Sequence, residues 1–125
     1  MSKASELGKT GEELAAEYLA RKGYTIRHVN WNLHKGYELD IVAEIDGEIV
    51  FVEVKTRHPG SVQRPEDAVD SKKIRHICKA ADLYVREFDI DMFYRFDIIS
   101  ILCKDENDFE LEHFPNAFGL PLTAR

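Results

Sequence analysis

The sequence has no long hydrophobic run, and this absence argues against a membrane-spanning helix. Its apolar-rich stretches, such as Ile49 to Val52 and Ile98 to Leu102, are far shorter than the roughly 20 residues that a bilayer requires. The first ten residues are polar and small, without the apolar centre of a secretory signal. We therefore expect no membrane partner and a cytoplasmic location.

Cysteine is scarce, and its placement argues against both a zinc site and a disulfide. The two cysteines, Cys78 and Cys103, form no C-x-x-C pair and have no closely spaced histidines beside them. Both lie in apolar patterns, so we expect them to be small buried hydrophobic residues. The five histidines are also dispersed, which favours structural or surface roles over a nucleophile pair.

Positive charge is in deficit over the whole chain but not in its middle. The net charge of −6 argues mildly against nucleic-acid binding. From Lys55 to Lys79, however, seven basic residues face three acids, whereas residues 80–114 hold three basic residues and ten acids. Either a phosphate-binding surface or an ordinary solvated helix face fits this pattern. The candidate phosphate contacts are Arg57, Arg64, Lys72, Lys73 and Arg75.

The hydrophobic periodicity predicts one α/β domain over residues 1–125, with an irregular tail from about residue 115. Thr10 is the expected N-cap of a helix over residues 11–22, and Gly23 is expected to end it. Asp46-Gly47 predicts a two-residue hairpin turn. The other predicted elements are strands over residues 24–31, 38–45 and 48–56, a helical region from about residue 65, and strands over residues 92–102 and 109–114. This order predicts a mixed five-stranded sheet flanked by helices.

A cluster of charged side chains is predicted on this hairpin. Alternation along a strand places Glu38 with Asp40 on one face, and Glu53 with Lys55 on one face. A symmetric turn at Asp46-Gly47 sets Asp40 roughly opposite Glu53. Neighbouring carboxylates repel each other, and a divalent cation offsets that repulsion. Hard oxygen ligands favour Mg²⁺ or Mn²⁺. The alternative is that Glu53 and Lys55 form the solvated face of an edge strand.

These residues also resemble a known nuclease signature. Glu38-Leu39-Asp40 followed by Glu53-Val54-Lys55 is similar to the D…ExK motif of the PD-(D/E)xK superfamily, which includes archaeal Holliday-junction resolvases and many restriction enzymes. Over nearly the whole chain, the sequence resembles the small bacterial YraN-type family, to which an endonuclease activity is ascribed. The supporting segments are Gly11 to Ala15, Tyr18-Leu19, Gly23-Tyr24, Ala68-Val69 with Lys73, and Arg95 to Asp97.

The resemblance implies a restriction-endonuclease-like core and assigns roles to individual residues. Asp40 and Glu53 are implied metal ligands, the Val54 carbonyl a third, and Lys55 the catalytic lysine. In the resolvases a glutamate on the first helix completes the site, and the match falls on Glu12, with Glu13 its neighbouring alternative. Glu38 is a further candidate ligand.

The first functional hypothesis is therefore Mg²⁺-assisted or Mn²⁺-assisted hydrolysis of DNA phosphodiester bonds, including those at branched or irregular structures. The second is a catalytically silent nucleic-acid-binding module with the same fold. The third is an acidic protein-interaction domain that uses its C-terminal strands. By analogy with enzymes that cut two strands symmetrically, a homodimer is also expected.

Overall fold

A computed structural model describes residues 10–33, 36–60, 70–105 and 108–119 of the chain. Within these ranges the order is helix, three strands, helix, two strands, as predicted. The elements are α1 (Gly11–Arg21), β1 (Thr25–Leu33), β2 (Tyr37–Ile45), β3 (Glu48–Arg57), α2 (Ser71–Glu87), β4 (Tyr94–Asp105) and β5 (Asp108–Phe118).

The strands form one five-stranded mixed sheet in the order β1-β2-β3-β4-β5. β3 and β4 are parallel, with α2 in the connection between them, and the other neighbouring pairs are antiparallel. The turn between β2 and β3 is the predicted one, since Asp46 and Gly47 both have positive φ, as a type I′ hairpin requires. The architecture is α/β and is consistent with a restriction-endonuclease-like core.

Each helix covers one face of the sheet, so the core has two halves. On one face Ala15 and Leu19 of α1 pack in a cluster with Val50, Val52 and residues of the neighbouring strands. On the other face Ile77 and Tyr84 of α2 pack in a cluster with Phe51. β3 contributes apolar residues to both clusters and is the middle strand of the sheet, a position that suits its apolar run from Ile49 to Val52.

β1 departs from the simple alternation that its sequence predicts. Regular alternation would place Tyr24, Ile26 and His28 on one face, but the pairing register with β2 shifts between Ile26 and His28. Ile26 packs on the α1 side, whereas His28 Nδ1 forms a 2.7 Å hydrogen bond with the Tyr84 hydroxyl on the α2 side. The extra residue is Arg27, whose Nε donates to the same hydroxyl at 3.0 Å. A bulge of this kind reverses the facing of the residues beyond it.

Several element boundaries differ from the sequence prediction, and the end of β5 and the start of α2 matter most. β5 continues to Phe118, with Phe118 paired to Phe96, so the tail predicted to be irregular from about residue 115 is still strand at that point. A register shift between Phe96 and Ile98 accommodates this continuation. α2 begins at Ser71, capped by Asp70, and the earlier part of the predicted helical region lies outside the described residues.

No helix in the described ranges is long and apolar enough to cross a membrane. Both cysteines are free: Cys78 is buried in the α2-side core and Cys103 packs against the α1-side core. Both occupy apolar positions, as predicted, but Cys103 is half-buried rather than buried.

Candidate functional site

The hairpin register places Asp40 at the level of Glu53. β2 and β3 pair antiparallel from Ile45 with Glu48 to Ile41 with Val52, and one further step along the same register brings Asp40 opposite Glu53. The symmetric two-residue turn fixes this alignment, because six residues separate each acid from the turn. The structure therefore brings together the two carboxylates that the spacing predicted to be opposite each other.

β2 changes its course at Asp40. Leu39 belongs to the α2-side core and Ile41 to the α1-side core, although residues two apart in a regular strand share a face. Asp40 Oδ2 accepts a 2.8 Å hydrogen bond from the Val54 backbone N–H. A side-chain oxygen thus satisfies a donor of β3 just beyond the last β2–β3 residue pair, and this bond holds the Asp40 carboxylate at the end of the central strand.

The environment of Asp40 makes its ionisation unfavourable. Burial, followed by the negative charge of Glu53, raises the pKa of Asp40 to about 7 from an ordinary value of 3.8. The charge of Glu12 raises this pKa further, whereas the Val54 N–H and the Lys73 ammonium lower it. The carboxyl group of Asp40 therefore lies within the electrostatic reach of two other acids.

Glu53 is buried in the sheet, with 8% of its surface exposed. Two ammonium groups neutralise it: Lys55 Nζ lies 3.5 Å and Lys73 Nζ 3.4 Å from Glu53 Oε2. The alternative that Glu53 and Lys55 lie on the solvated face of an edge strand is wrong, because β3 is the middle strand of the five. Lys73 was predicted only as a phosphate contact, and its pairing with Glu53 adds a second role.

The start of α1 packs against the end of β3. An added Cβ on Gly11 would lie 2.2 Å from Thr56 Oγ1, so only glycine allows this approach without movement. The contact brings the first turn of α1 to the charged cluster. Glu13 is engaged in a capping box with Thr10, whereas Glu12 acts on the Asp40 carboxyl through its charge. Of the two helix acids, the geometry therefore associates Glu12 with the cluster.

The donor chemistry fits a hard divalent cation held mainly by two carboxylates. Among the residues that the structure describes, no three His, Cys, Asp or Glu side chains are grouped closely enough to hold a metal. Mg²⁺, however, is commonly bound by one or two carboxylates together with water and substrate phosphates. Asp40 and Glu53, with the Val54 carbonyl, supply such a set. Glu38 is exposed, and no described hydrogen bond or ion pair joins it to either acid.

A groove of about 630 Å³ lies beside this cluster, and we call it the α2 groove. Lys55 and Tyr37 line it from the sheet, and Asp70 lines it at the start of α2. The first half of α2 contributes the remaining lining residues, which are Lys72, Lys73, Arg75, His76 and Lys79. Five cationic side chains thus face one carboxylate in a protein whose net charge is −6. Lys55 belongs both to the groove and to the acid cluster.

Three of the predicted phosphate contacts, Lys72, Lys73 and Arg75, lie in the α2 groove. Arg57 does not; it lines a separate depression with Glu110 and Glu112 of β5. Arg64 lies outside the described residues. Sequence reasoning did not select Lys79 or His76 for this surface. The available signal was spacing: His76 and Lys79 lie four and seven residues after Lys72, which places these three side chains along one side of a helix.

The late-strand pair Arg95 and Asp97 lies on the α1 side, away from the groove. Asp97 is fully buried and accepts hydrogen bonds from Arg95 Nε at 3.0 Å and from the Asn116 N–H at 2.8 Å; His113 Nε2 lies 2.7 Å from it. Burial alone would raise the pKa of Asp97, but these hydrogen bonds outweigh it and lower the pKa. Arg95 and Asp97 thus form an ion pair, and His113 and Asn116 extend it into a network between β4 and β5.

Comparison with known proteins gives matches over nearly the full chain. A family model described as "Uncharacterised protein family UPF0102" matches residues 11–101. A UPF0102 protein of Parabacteroides distasonis is 47% identical over 121 residues, covering 97% of this chain and 98% of its own. UPF0102 proteins of Phocaeicola vulgatus and Flavobacterium psychrophilum are 48% and 42% identical, covering 98% and 94% of this chain and 99% and 98% of their own.

Proposed function

The chain belongs to the uncharacterised protein family UPF0102, the YraN-type family that its motifs indicated, and we propose that it is a metal-dependent endonuclease acting on DNA. One observation carries the proposal. Asp40, Glu53 and Lys55 meet at the end of the central strand, at the margin of a cationic groove in an otherwise acidic protein. Carboxylates, an ammonium group and a phosphate-attracting surface are the components that metal-assisted phosphodiester hydrolysis requires.

Each component has a distinct role. Asp40 and Glu53, with the Val54 carbonyl, would hold Mg²⁺ or Mn²⁺, and Glu12 would add negative charge beside Asp40. The bound ion supplies Lewis acidity and lowers the pKa of a water molecule. Lys55 is held beside Glu53 and offers a point charge for the attacking water or for the negative charge that develops on the phosphate. The Val54 N–H keeps the Asp40 carboxylate in place.

The groove provides for substrate binding. Lys72, Arg75 and Lys79 are exposed on α2, where they are accessible to backbone phosphates. A strand bound along them would also reach Lys55, because the same groove includes that residue. Positive charge concentrated in this way attracts a polyanion despite the net acidity of the chain.

A cleavage screen tests the proposal. We expect purified protein with Mg²⁺ or Mn²⁺ to hydrolyse at least one of four DNA substrates: single strands, duplexes, flaps and four-way junctions. Glu53→Gln should abolish cleavage, whereas Glu110→Gln, a change of the same type at an exposed position on β5, should leave it intact. Binding without cleavage in every arm would favour the silent nucleic-acid-binding module. If the protein neither binds nor cleaves any of the four substrates, that result would favour the acidic interaction domain.

A further inference from the structure

We propose that the α2 groove binds single-stranded DNA and stacks an unpaired base on the ring of His76. The inference rests on the proposed function for the identity of the ligand as DNA. It names the substrate class as strands with unpaired bases next to the scissile bond.

The stacking surface is built from two rings. Tyr37 and His76 are stacked, with ring centroids 4.7 Å apart and an interplanar angle of 19°. His76 Nε2 also donates a 3.1 Å hydrogen bond to the Gly36 carbonyl oxygen, which ties the ring to the start of β2. One face of the imidazole is covered by Tyr37, and His76 as a whole is exposed. The remaining face is therefore available, and its orientation is fixed before any ligand arrives.

The neighbouring charges define the rest of the ligand. Lys72, Arg75 and Lys79 line the same groove as the ring pair and are exposed. A cationic groove that follows the backbone, combined with aromatic rings that receive bases, is the general arrangement for binding single-stranded nucleic acid. An acidic peptide would use the cations but not the ring.

A duplex would not use this ring. In a duplex the bases are stacked on each other and paired, so their flat faces are accessible only after unpairing or extrusion, which costs free energy. An unpaired base meets His76 without that cost. Since Lys55 belongs to the same groove, a base held on His76 keeps the adjoining phosphates near the Asp40 and Glu53 carboxylates.

Equilibrium binding in EDTA tests this inference separately from cleavage. The ligands are fluorescent oligo-dT, a duplex of the same length, and an abasic single strand that keeps the phosphates but lacks the bases. We expect wild type to bind oligo-dT more tightly than the abasic strand by roughly 5- to 150-fold, the range of one base–aromatic stack. The duplex should also bind more weakly than oligo-dT.

Two variants and a control test whether the Tyr37–His76 ring pair causes the preference for oligo-dT over the abasic strand. His76→Gln retains a donor for the Gly36 carbonyl but loses the ring, so it should lose most of the preference for oligo-dT over the abasic strand. Tyr37→Leu should reduce the same preference by leaving the His76 ring unsupported. Lys79→Gln, the control, should weaken binding of all three ligands by similar factors, because it removes a phosphate contact only.

The outcomes separate the two proposals. Three results would overturn the inference while leaving the endonuclease proposal intact. They are equal affinity for oligo-dT and the abasic strand, an unchanged preference for oligo-dT in His76→Gln, and competition by polyglutamate as strong as that by unlabelled oligo-dT. A base-dependent preference in a protein that cleaves nothing would support this binding mode and reject the endonuclease.

Discussion

A half-buried carboxylate beside a second carboxylate is costly to ionise, and Asp40 is in that position. Its pKa of about 7 in the folded protein lies above the ordinary value of 3.8 that applies to the unfolded chain. The folded state therefore binds the proton more tightly. The corresponding contribution to stability is fully present below about pH 4 and is lost as the pH rises through about 7.

Asp40→Asn should remove this pH dependence without removing the hydrogen bond from the Val54 N–H, because the amide oxygen still accepts it. In EDTA at pH 8, we expect the variant to be more stable than wild type by at least about 1 kcal/mol, with the difference vanishing near pH 4. Thermal melts of both proteins across this range provide the measurement. A difference independent of pH would contradict the assignment.

The same pair of proteins tests the metal. Mn²⁺ or Mg²⁺ at pH 8 should raise the melting temperature of wild type through preferential binding to the folded state. Asp40→Asn should lose most of that rise. Equal stabilisation of both proteins in a metal titration would remove Asp40 from the ligand set.

Lys55 is the residue that separates catalysis from binding. In Lys55→Ala, Lys73 still neutralises Glu53, so the fold should persist. We expect DNA affinity close to that of wild type and a loss of cleavage of roughly a hundredfold or more, as when a charge-stabilising group is removed. The measurements are single-turnover cleavage and equilibrium binding on one substrate. Cleavage at the wild-type rate would refute the catalytic assignment.

Among the elements, the contact between α1 and β3 decides whether Glu12 reaches the site. Gly11→Ala should push the start of the helix away from Thr56 and destabilise the fold by about 1–3 kcal/mol, the usual cost of overpacking. Urea denaturation gives the measurement. Cleavage should fall as well, since the first turn carries Glu12.

Thr56→Ala provides the matched control for this contact. It removes the Oγ1 atom, and the nearest remaining atoms then lie 3.4 Å or more from the added Cβ. The double variant Gly11→Ala/Thr56→Ala should therefore recover most of the lost stability, with a coupling free energy on the order of 1 kcal/mol in a double-mutant cycle. Additive effects would show that the two elements are not in tight contact.

At the scale of the whole molecule, charge is distributed unevenly. The chain carries a net −6, yet five cationic side chains line the α2 groove. A polyanion approaching from solution is therefore attracted to this groove although the protein as a whole is acidic. This distribution makes the salt dependence of binding a direct measure of how many groove cations contact phosphate.

Reversing Lys72 and Lys73 to Glu should weaken DNA binding and flatten its salt dependence, but Lys73 also neutralises Glu53. A cleaner variant is Lys72→Gln/Lys79→Gln, which leaves that ion pair intact. We expect the slope of log affinity against log salt to fall by about 1 for each lost phosphate contact. Lys104→Gln, an exposed change outside the groove, should leave the slope unchanged. An unchanged slope in the double variant would assign the α2 surface to solvent.

The features that could be predicted from sequence depend on short-range pattern. Alternation and the Asp46-Gly47 turn place Asp40 opposite Glu53, because the register of a two-residue hairpin follows from counting. The apolar run from Ile49 to Val52 is typical of a strand covered on both faces, which β3 is. Thr10 and Gly23 marked the ends of α1 for equally local reasons, a side-chain cap and a positive φ of 98°.

The features that could not be predicted involve elements far apart in sequence or a break in a local pattern. At the bulge, Arg27 donates a hydrogen bond to the buried hydroxyl of Tyr84, which lies 57 residues later in the sequence. Alternation alone could not predict this bulge. Lys73 pairs with Glu53 because α2 crosses that face of the sheet.

Both Glu12 and Glu13 fit the first turn of α1 by sequence. In the structure Gly11 packs against Thr56 and Glu13 caps the helix, so Glu12 is the helix acid whose charge raises the pKa of Asp40. This choice depends on how the helix docks rather than on its own pattern.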